Sequence, residues 1–384
     1  MENFEFLNPV KILFGKGKIA KINDEVPAGA RVLVTYGGGS IKKNGVYDQV
    51  MANLPGRTVL EFGGIEANPV YETLMKAAEV VRGEKIDFIL AVGGGSVLDG
   101  TKFIAAAARY EDGDPWDIYT KHTPVPALTV PFGTVLTLPA TGSEMNPVAV
   151  ITRASTKEKL PSAIAYAKFS VIDPEVTYSL PTRQVSNGIV DAFAHVLEQY
   201  LTYPVNAPLQ DRIAESILLT LIEVAPAALE NPPVYEARAT LCWCATMALN
   251  GLIAQGVPQD WSTHMIGHEM TALSGLDHAR TLAITYPGTM AACRKNKHAK
   301  LLQYAERIWN IREGSEEQRI DKAIAATRSF FEGVGVKSHF KDYDLPASLA
   351  GTIAKRLDDR GWNQLGERHD IGPKEVEEIL SYSM

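Results

Sequence analysis

The 384-residue chain reads as two architectures in series: an α/β domain built on a parallel sheet over residues 1–180, then an all-helical domain over residues 181–384. Three observations predict this. In the first half, short apolar runs rich in β-branched residues alternate with segments of helical period, the pattern of βαβ units whose strands are covered on both faces. Two of those runs end in three glycines and a serine, a punctuation suited to a strand that turns into a helix. From about Pro181 the period is helical to the end. A chain of this length is also long for one hydrophobic core.

The predicted strands are Arg31 to Tyr36, Val59 to Phe62, Asp87 to Val92, Leu128 to Pro131, Val135 to Leu138, Val148 to Thr152 and Ser170 to Ile172, all placed in the sheet region. Helical period predicts Tyr71 to Gly83 and Val97 to Arg109 between them. The second half is expected to hold helices over Gln184–Thr202, Gln210–Glu230, Glu236–Ala254, Pro258–Ser274, Ala279–Ala292, Ala299–Trp309, Ile320–Gly333 and Lys374–Tyr382. Asn231-Pro232-Pro233 breaks that series, because proline removes a backbone donor and clashes with the preceding turn.

Composition excludes several function classes. Apolar residues make up 46% and charged residues 22% of the chain, as in ordinary globular proteins. The net charge is −7 with no long basic run, which argues against nucleic acid as a partner. Three cysteines, Cys242, Cys244 and Cys293, cannot build a disulfide framework and fit a reducing compartment. Cys242-x-Cys244 is tighter than a zinc-ribbon or redox pair and is expected to pack inside a helix. The N-terminus lacks the regions of a signal peptide. The apolar stretch Ala127 to Ala140 is broken by Pro131 and Pro139, so no membrane span is expected. The expected location is the cytoplasm.

The second half holds the most informative residues. Asp191 and His195 are four apart in one predicted helix, and His264 and His268 four apart in another; His278 follows ten residues later. An i,i+4 pair puts two side chains on one helix face, roughly 5–6 Å apart at Cβ. A single such pair is more often a capped or solvent-facing pair than an ion site. Asp191, His195, His264 and His278 together offer three nitrogens and a carboxylate oxygen, a set that suits Zn²⁺ or Fe²⁺ better than Ca²⁺ or Mg²⁺.

The two glycine loops, Gly37-Gly38-Gly39-Ser40 and Gly93-Gly94-Gly95-Ser96, propose a phosphate-bearing ligand. Glycine allows close backbone approach to an anion, and a following helix N-terminus presents free N–H groups. Neither loop is the G-x-G-x-x-G fingerprint. The second has Gly95 and Gly100 at the spacing of a nucleotide-hydrolase loop, but Thr101 precedes Lys102, the reverse of the required order. Asp99 follows the second loop as an acid able to reach a ribose or amide. Ser40, Lys42 and Lys43 follow the first, where a hydroxyl and ammonium groups suit a 2′-phosphate and hence NADP(H). Glu61, at the end of the next strand, is the counter-signal that keeps NAD(H) open.

Gly93-Gly94-Gly95-Ser96-x-x-Asp99, Thr137-x-x-x-Thr141-Gly142-Ser143-Glu144, Asp191-x-x-x-His195 and His264-x-x-x-His268 with His278 resemble, in this order and across the whole chain, the iron-containing (group III) alcohol dehydrogenase family. The match resembles most its NADPH-dependent aldehyde reductase and butanol dehydrogenase branch. The resemblance implies a Rossmann-like dinucleotide domain, a C-terminal helical metal-binding domain and an active site in the cleft between them. It implies Asp191, His195, His264 and His278 as metal ligands, with zinc or iron as the ion. His268 resembles a histidine near the nicotinamide that supports a ligand or relays a proton, and catalytic roles fall to His268 and Asp99. Gly94, Gly95 and Ser96 would hold the pyrophosphate; Asp99, Thr137, Thr141 and Lys159 would line the adenosine-distal half, the Lys159 alignment needing a gap. Gly38, Gly39, Ser40 and Lys43 resemble the branch that accepts the 2′-phosphate, which tips the cofactor to NADP(H).

The implied activity is metal-dependent hydride transfer between NADP(H) and short to medium-chain aldehydes or primary alcohols, by a homodimer on analogy. Rival readings are a polyol dehydrogenase or sugar-phosphate cyclase of the same architecture, disfavoured by three histidines and the lack of a basic cluster near them. A non-catalytic NADP(H)-binding sensor is disfavoured because every ligand position is filled.

Overall fold

The computed structural model describes residues 1–125 and 129–384; Pro126, Ala127 and Leu128, and with them the start of the strand expected from Leu128, lie outside the described residues. Contacts divide the chain into two compact units, one of Leu7–Leu180 with Pro233–Thr246, the other of Met1–Phe6, Pro181–Pro232 and Met247–Met384.

The first unit carries β1 (Lys11–Phe14), β2 (Arg31–Tyr36), β3 (Thr58–Phe62), β4 (Phe88–Gly94), β5 (Phe132–Leu138), β6 (Val148–Arg153), β7 (Glu158–Ala163) and β8 (Phe169–Ile172). Its helices are α1 (Ile22–Glu25), α2 (Val46–Ala52), α3 (Tyr71–Gly83), α4 (Gly95–Ala107) and α5 (Asp117–Thr120). Six strands form one sheet in the order β1-β8-β5-β4-β2-β3, parallel at every pairing. Parallel pairing requires crossovers, and helices on both faces explain why the central strands are continuously apolar rather than alternating. Val32, Val34, Leu90, Val92, Val135 and Val171 belong to one buried cluster. α4 is buried along its length because Gly100 lets it approach α3; a Cβ there would stand 2.8 Å from Leu74 Cδ2.

The expectation for Val148 to Thr152 needs correction. The strand exists, but β6 pairs antiparallel with β7 in a separate two-stranded ribbon and does not finish the parallel sheet. β6 is docked on α4 instead, where Asp99 Oδ2 accepts from Val150 N at 2.9 Å. The expected strand at Thr129 to Pro131 is irregular backbone in the structure. β1 and β7, not expected from the sequence, are short and mixed in character.

The second unit carries α6 (Thr182–Tyr200) and α7 (Pro208–Ala228); α8 (Tyr235–Ala248) belongs to the first unit as far as Thr246. Then follow α9 (Ser262–Ser274), α10 (His278–Ala292), α11 (Arg294–Arg307), α12 (Glu316–Gly333), α13 (Leu349–Asp359) and α14 (Pro373–Ser381). Four predicted boundaries are corrected: the helices expected from Ala299 and Ile320 begin earlier, at Arg294 and Glu316, and two others move as follows. The helix expected to reach Ala254 ends at Ala248, where turns take over with Gly251 at φ 88°. The helix expected from Pro258 begins at Ser262: Trp261 before it sits at φ 64°, outside the helical region, and Asp260 Oδ1 accepts from Ser262 N at 3.0 Å in the turn that leads in. α13 was hidden in the sequence by Gly351 and Thr352, which dilute its apolar period; its Ile353 and Leu357 pack with Ile266, Ile284 and Ile379 in one core. Both Cys242 and Cys244 are buried in α8, and no described helix is long and apolar enough to cross a membrane.

α10 and α14 touch at Gly288, where an added Cβ would lie 1.9 Å from the Ile379 carbonyl oxygen. Gly288→Ala is expected to destabilise the protein by at least about 2 kcal/mol, since backbone cannot yield as a side chain can. A thermal melt reads this out; an unchanged midpoint would show that the two helices slide apart freely.

Candidate active site

α6 carries Asp191 and His195 one turn apart within a stretch buried from Val185 to Tyr200. α9 carries His264 and His268 one turn apart, and His278 is the first residue of α10. α10 packs against both α6 and α9, which brings the three sources of side chains together. Asp191, His195 and His264 each offer a ligand atom within 4.8 Å of the others. His278 Nε2 stands 3.7 Å from Asp191 Oδ1, and His195 Nδ1 3.8 Å from Asp191 Oδ2. The His195 and His264 rings are stacked with centroids 4.7 Å apart, and those of His264 and His278 are 5.2 Å apart.

These residues fit a divalent ion. Donors bound at about 2.1 Å to a tetrahedral centre are separated by about 3.4 Å, a few tenths of an ångström below the carboxylate-to-imidazole distances. Asp191, His195 and His264 are all at most 5% exposed, and burying a carboxylate among imidazoles is costly unless a cation compensates. The set is nitrogen-rich with a single acid, which suits zinc or iron(II). His268 stands beside the group: its ring is 5.0 Å from that of His278 and 6.3 Å from that of His264. Trp261, which the sequence left open between core and site, is half-buried at φ 64° with its ring 5.2 Å from His264.

Sequence reading missed Glu198. It is fully buried, and its Oε1 accepts from His264 N at 3.0 Å and lies 2.9 Å from His264 Nδ1. With Nδ1–H donated to the carboxylate, the imidazole is left with its Nε2 lone pair for an ion, the tautomer that carboxylate partners impose on metal-bound histidines. The signal was legible: Asp191, His195 and Glu198 fall at i, i+4 and i+7, one stripe of a helix. The approach to His278 is also held, since Arg183 Nε and Asn187 Nδ2 both donate at 2.8 Å to Asp277 Oδ2.

In the first unit, the glycine-loop residues gather at the C-terminal ends of the neighbouring strands β2, β4 and β5, the edge where open parallel sheets bind ligands. Gly93 and Gly94 end β4 and Gly95 opens α4, so the helix starts two residues before the predicted Val97. A Cβ on Gly95 would lie 2.5 Å from Thr141 Oγ1; only glycine lets the Thr141 segment close here. Thr137 is half-buried at the end of β5. Ser96 Oγ accepts from Asn68 N at 3.2 Å, and buried Lys159 Nζ donates to Asn68 Oδ1 at 2.8 Å. Asn68, at φ 61°, thus joins two predicted residues and was itself missed.

Asp99 is buried, and burial pushes its carboxyl above the usual range. Its oxygens are engaged by the protein: Ser143 Oγ donates to Oδ1 at 2.5 Å and Val150 N to Oδ2. The first loop departs from the strand-glycine-helix pattern, because Gly39 at φ 85° leads into a 3₁₀ turn, Ser40–Lys42, before α2. Gly38, Ser40 and Lys43 are exposed. Glu61 is not a bare acid: Lys42 Nζ meets its Oε2 at 2.7 Å.

Comparison with known proteins identifies the family of the chain. A family model for iron-containing alcohol dehydrogenase matches residues 9–174, and one for the Fe-containing alcohol dehydrogenase family C-terminal region matches residues 185–383. The chain is 59% identical over 374 residues to the NADPH-dependent aldehyde reductase YqhD of Escherichia coli K12, covering 97% of each. It is 42% identical to a probable NADH-dependent butanol dehydrogenase 1 of Bacillus subtilis, covering 100% of both chains. The crystal structure of E. coli K-12 YqhD superposes with a TM-score of 0.98 at 56% identity, covering 100% of this chain and 99% of that one. The chain therefore belongs to the iron-containing alcohol dehydrogenase family, on its aldehyde reductase and butanol dehydrogenase branch.

Proposed function

We propose that the protein is an NADP-dependent aldehyde reductase and alcohol dehydrogenase, moving a hydride between NADP(H) and short to medium-chain aldehydes or primary alcohols. The observation that carries this reading is the convergence of Asp191, His195 and His264 within 4.8 Å of one another, in a chain 59% identical to an NADPH-dependent aldehyde reductase.

Asp191, His195, His264 and His278 hold one divalent ion, Zn²⁺ or Fe²⁺, with affinity order favouring zinc. Bound there, the ion supplies Lewis acidity toward the substrate oxygen, and the nicotinamide supplies the hydride chemistry. Glu198 orients the His264 ring. His268, beside the ligand group, holds or passes the proton that the substrate oxygen gains. The α4 N-terminus with Gly94, Gly95 and Ser96 receives the pyrophosphate. Asp99, through Ser143 and Val150, positions the wall on which Thr137, Thr141 and Lys159 meet the cofactor, so its role is support rather than direct chemistry. Gly38, Gly39, Ser40 and Lys43 receive the 2′-phosphate. On this reading residues 1–180 form the dinucleotide-binding domain and residues 181–384 the metal-binding catalytic domain. We further propose a cytoplasmic homodimer, the cysteine usage suiting a reducing compartment.

The test is NADPH oxidation with butanal by chelator-stripped protein, with zinc or iron(II) restored and NADH run in parallel. Metal-dependent turnover preferring NADPH is expected. Turnover untouched by chelation, or absent with either metal, would reject the assignment.

A further inference from the structure

The sequence leaves a contradiction at the first glycine loop: Glu61 ends the strand next to it, where a carboxylate selects a free ribose 2′-hydroxyl and repels a 2′-phosphate. β2 and β3 pair in parallel with Val34 opposite Glu61, and the chain leaving β3 folds back on the loop, Gly64 N donating to Gly37 O at 3.0 Å. Glu61 therefore lies at the lip of the loop.

Its charge is cancelled there. Lys42 Nζ lies 2.7 Å from Glu61 Oε2, Tyr36 OH donates to the same oxygen at 3.1 Å, and Tyr47 OH donates to Oε1. Lys42 is itself held over both rings, 4.9 Å from the Tyr36 centroid and 4.6 Å from that of Tyr47. The hydrogen bonds from Lys42 and Tyr47 also hold the Glu61 carboxyl below its usual range. Lys43, the next residue, is exposed and makes no ion pair among the described residues. Two adjacent lysines thus have different surroundings, one locked to an acid and one available.

We infer that the Tyr36–Lys42–Tyr47 clamp on Glu61 is a specificity device: it masks an acid that would otherwise select NAD(H), and leaves Lys43 and Ser40 to receive the 2′-phosphate. Lys42 is a positioning residue that acts through Glu61 rather than on the phosphate. The inference rests on the proposed binding of the 2′-phosphate at this loop.

The experiment is calorimetric titration of the full chain with 2′,5′-ADP and with 5′-AMP, two probes that differ only in the 2′-phosphate and need neither metal nor turnover. Lys42→Met is expected to weaken 2′,5′-ADP by about tenfold, the effect of one uncovered charge a few ångströms away in a partly solvated site. The same variant should bind 5′-AMP as well as the parent does, or better. Lys42→Met/Glu61→Gln should recover 2′,5′-ADP affinity to within about twofold of the parent, because with no acid left the mask is not needed. A double variant as weak as Lys42→Met would overturn the inference and place Lys42 on the phosphate itself. An unaltered Lys42→Met would overturn it by showing that Glu61 does not act at the ligand. A parent chain that binds the two probes alike would instead overturn the NADP(H) reading, and the inference with it, so the two failures are distinct. All three chains should melt alike, since the cluster is partly exposed.

Discussion

Replacing His264 by alanine is expected to remove the metal and the turnover together. The ring meets Glu198 through Nδ1 and stacks on His195 at 4.7 Å, so its loss opens one side of the ligand group and leaves a buried carboxylate with fewer partners. Metal content measured by plasma mass spectrometry should fall from about one ion per chain to a small fraction. Aldehyde reduction should fall by about 10³-fold, since Lewis-acid stabilisation is worth several kcal/mol and each 1.36 kcal/mol is tenfold. His268→Ala is the contrast. Its ring stands 6.3 Å from His264, so metal content should stay near the parent value while turnover falls by about 10²-fold, the scale of a lost proton-transfer group. Loss of metal from His268→Ala with retention in His264→Ala would exchange the two roles.

The second large effect is expected at Glu198, whose Oε1 meets the His264 ring and backbone N–H. Partners of this kind typically contribute 10–100-fold in metal affinity. Glu198→Ala should lower metal affinity by about that factor in a chelator competition, with Glu198→Gln intermediate because the amide oxygen still accepts. With cobalt(II) in the site, the visible absorption should shift as the His264 ring loses its orientation, a change that simple loosening of the core would not produce. Affinity and spectrum both unchanged in Glu198→Ala would mean that the helix backbone alone holds the ring. Lys297 supports the same corner, its Nζ 2.8 Å from Asp260 Oδ2 and 2.7 Å from the Leu201 carbonyl, while Asp260 N donates to Glu198 O.

Some of this was legible in one dimension. The strand-glycine-serine pattern marked β2 and β4, the helical period marked α3, α6 and α7 within two residues, and the i,i+4 pairs placed Asp191 with His195 and His264 with His268 on common faces. Each is a local property of the chain: a period, a spacing, a breaker. These also define the donor chemistry, because which atoms can ligate an ion depends only on residue type.

What the tertiary structure alone decided is how distant segments meet. His264 and Glu198 are 66 residues apart, and nothing in either helix specifies that the carboxylate should cap that imidazole. β6 has the composition of a sheet strand, yet its partner is β7 and its anchor is Asp99, because strand pairing is a contact between segments and not a property of one. Asp99, read from sequence as an acid for the ligand, spends its oxygens on Ser143 and Val150. Glu61, read as a sign of NAD(H), is covered by Lys42, Tyr36 and Tyr47. In each case the sequence named the charge correctly, and its meaning was set by the donors that folding brought within hydrogen-bond range, since an acid's electrostatic effect on a ligand depends on whether another group already cancels it.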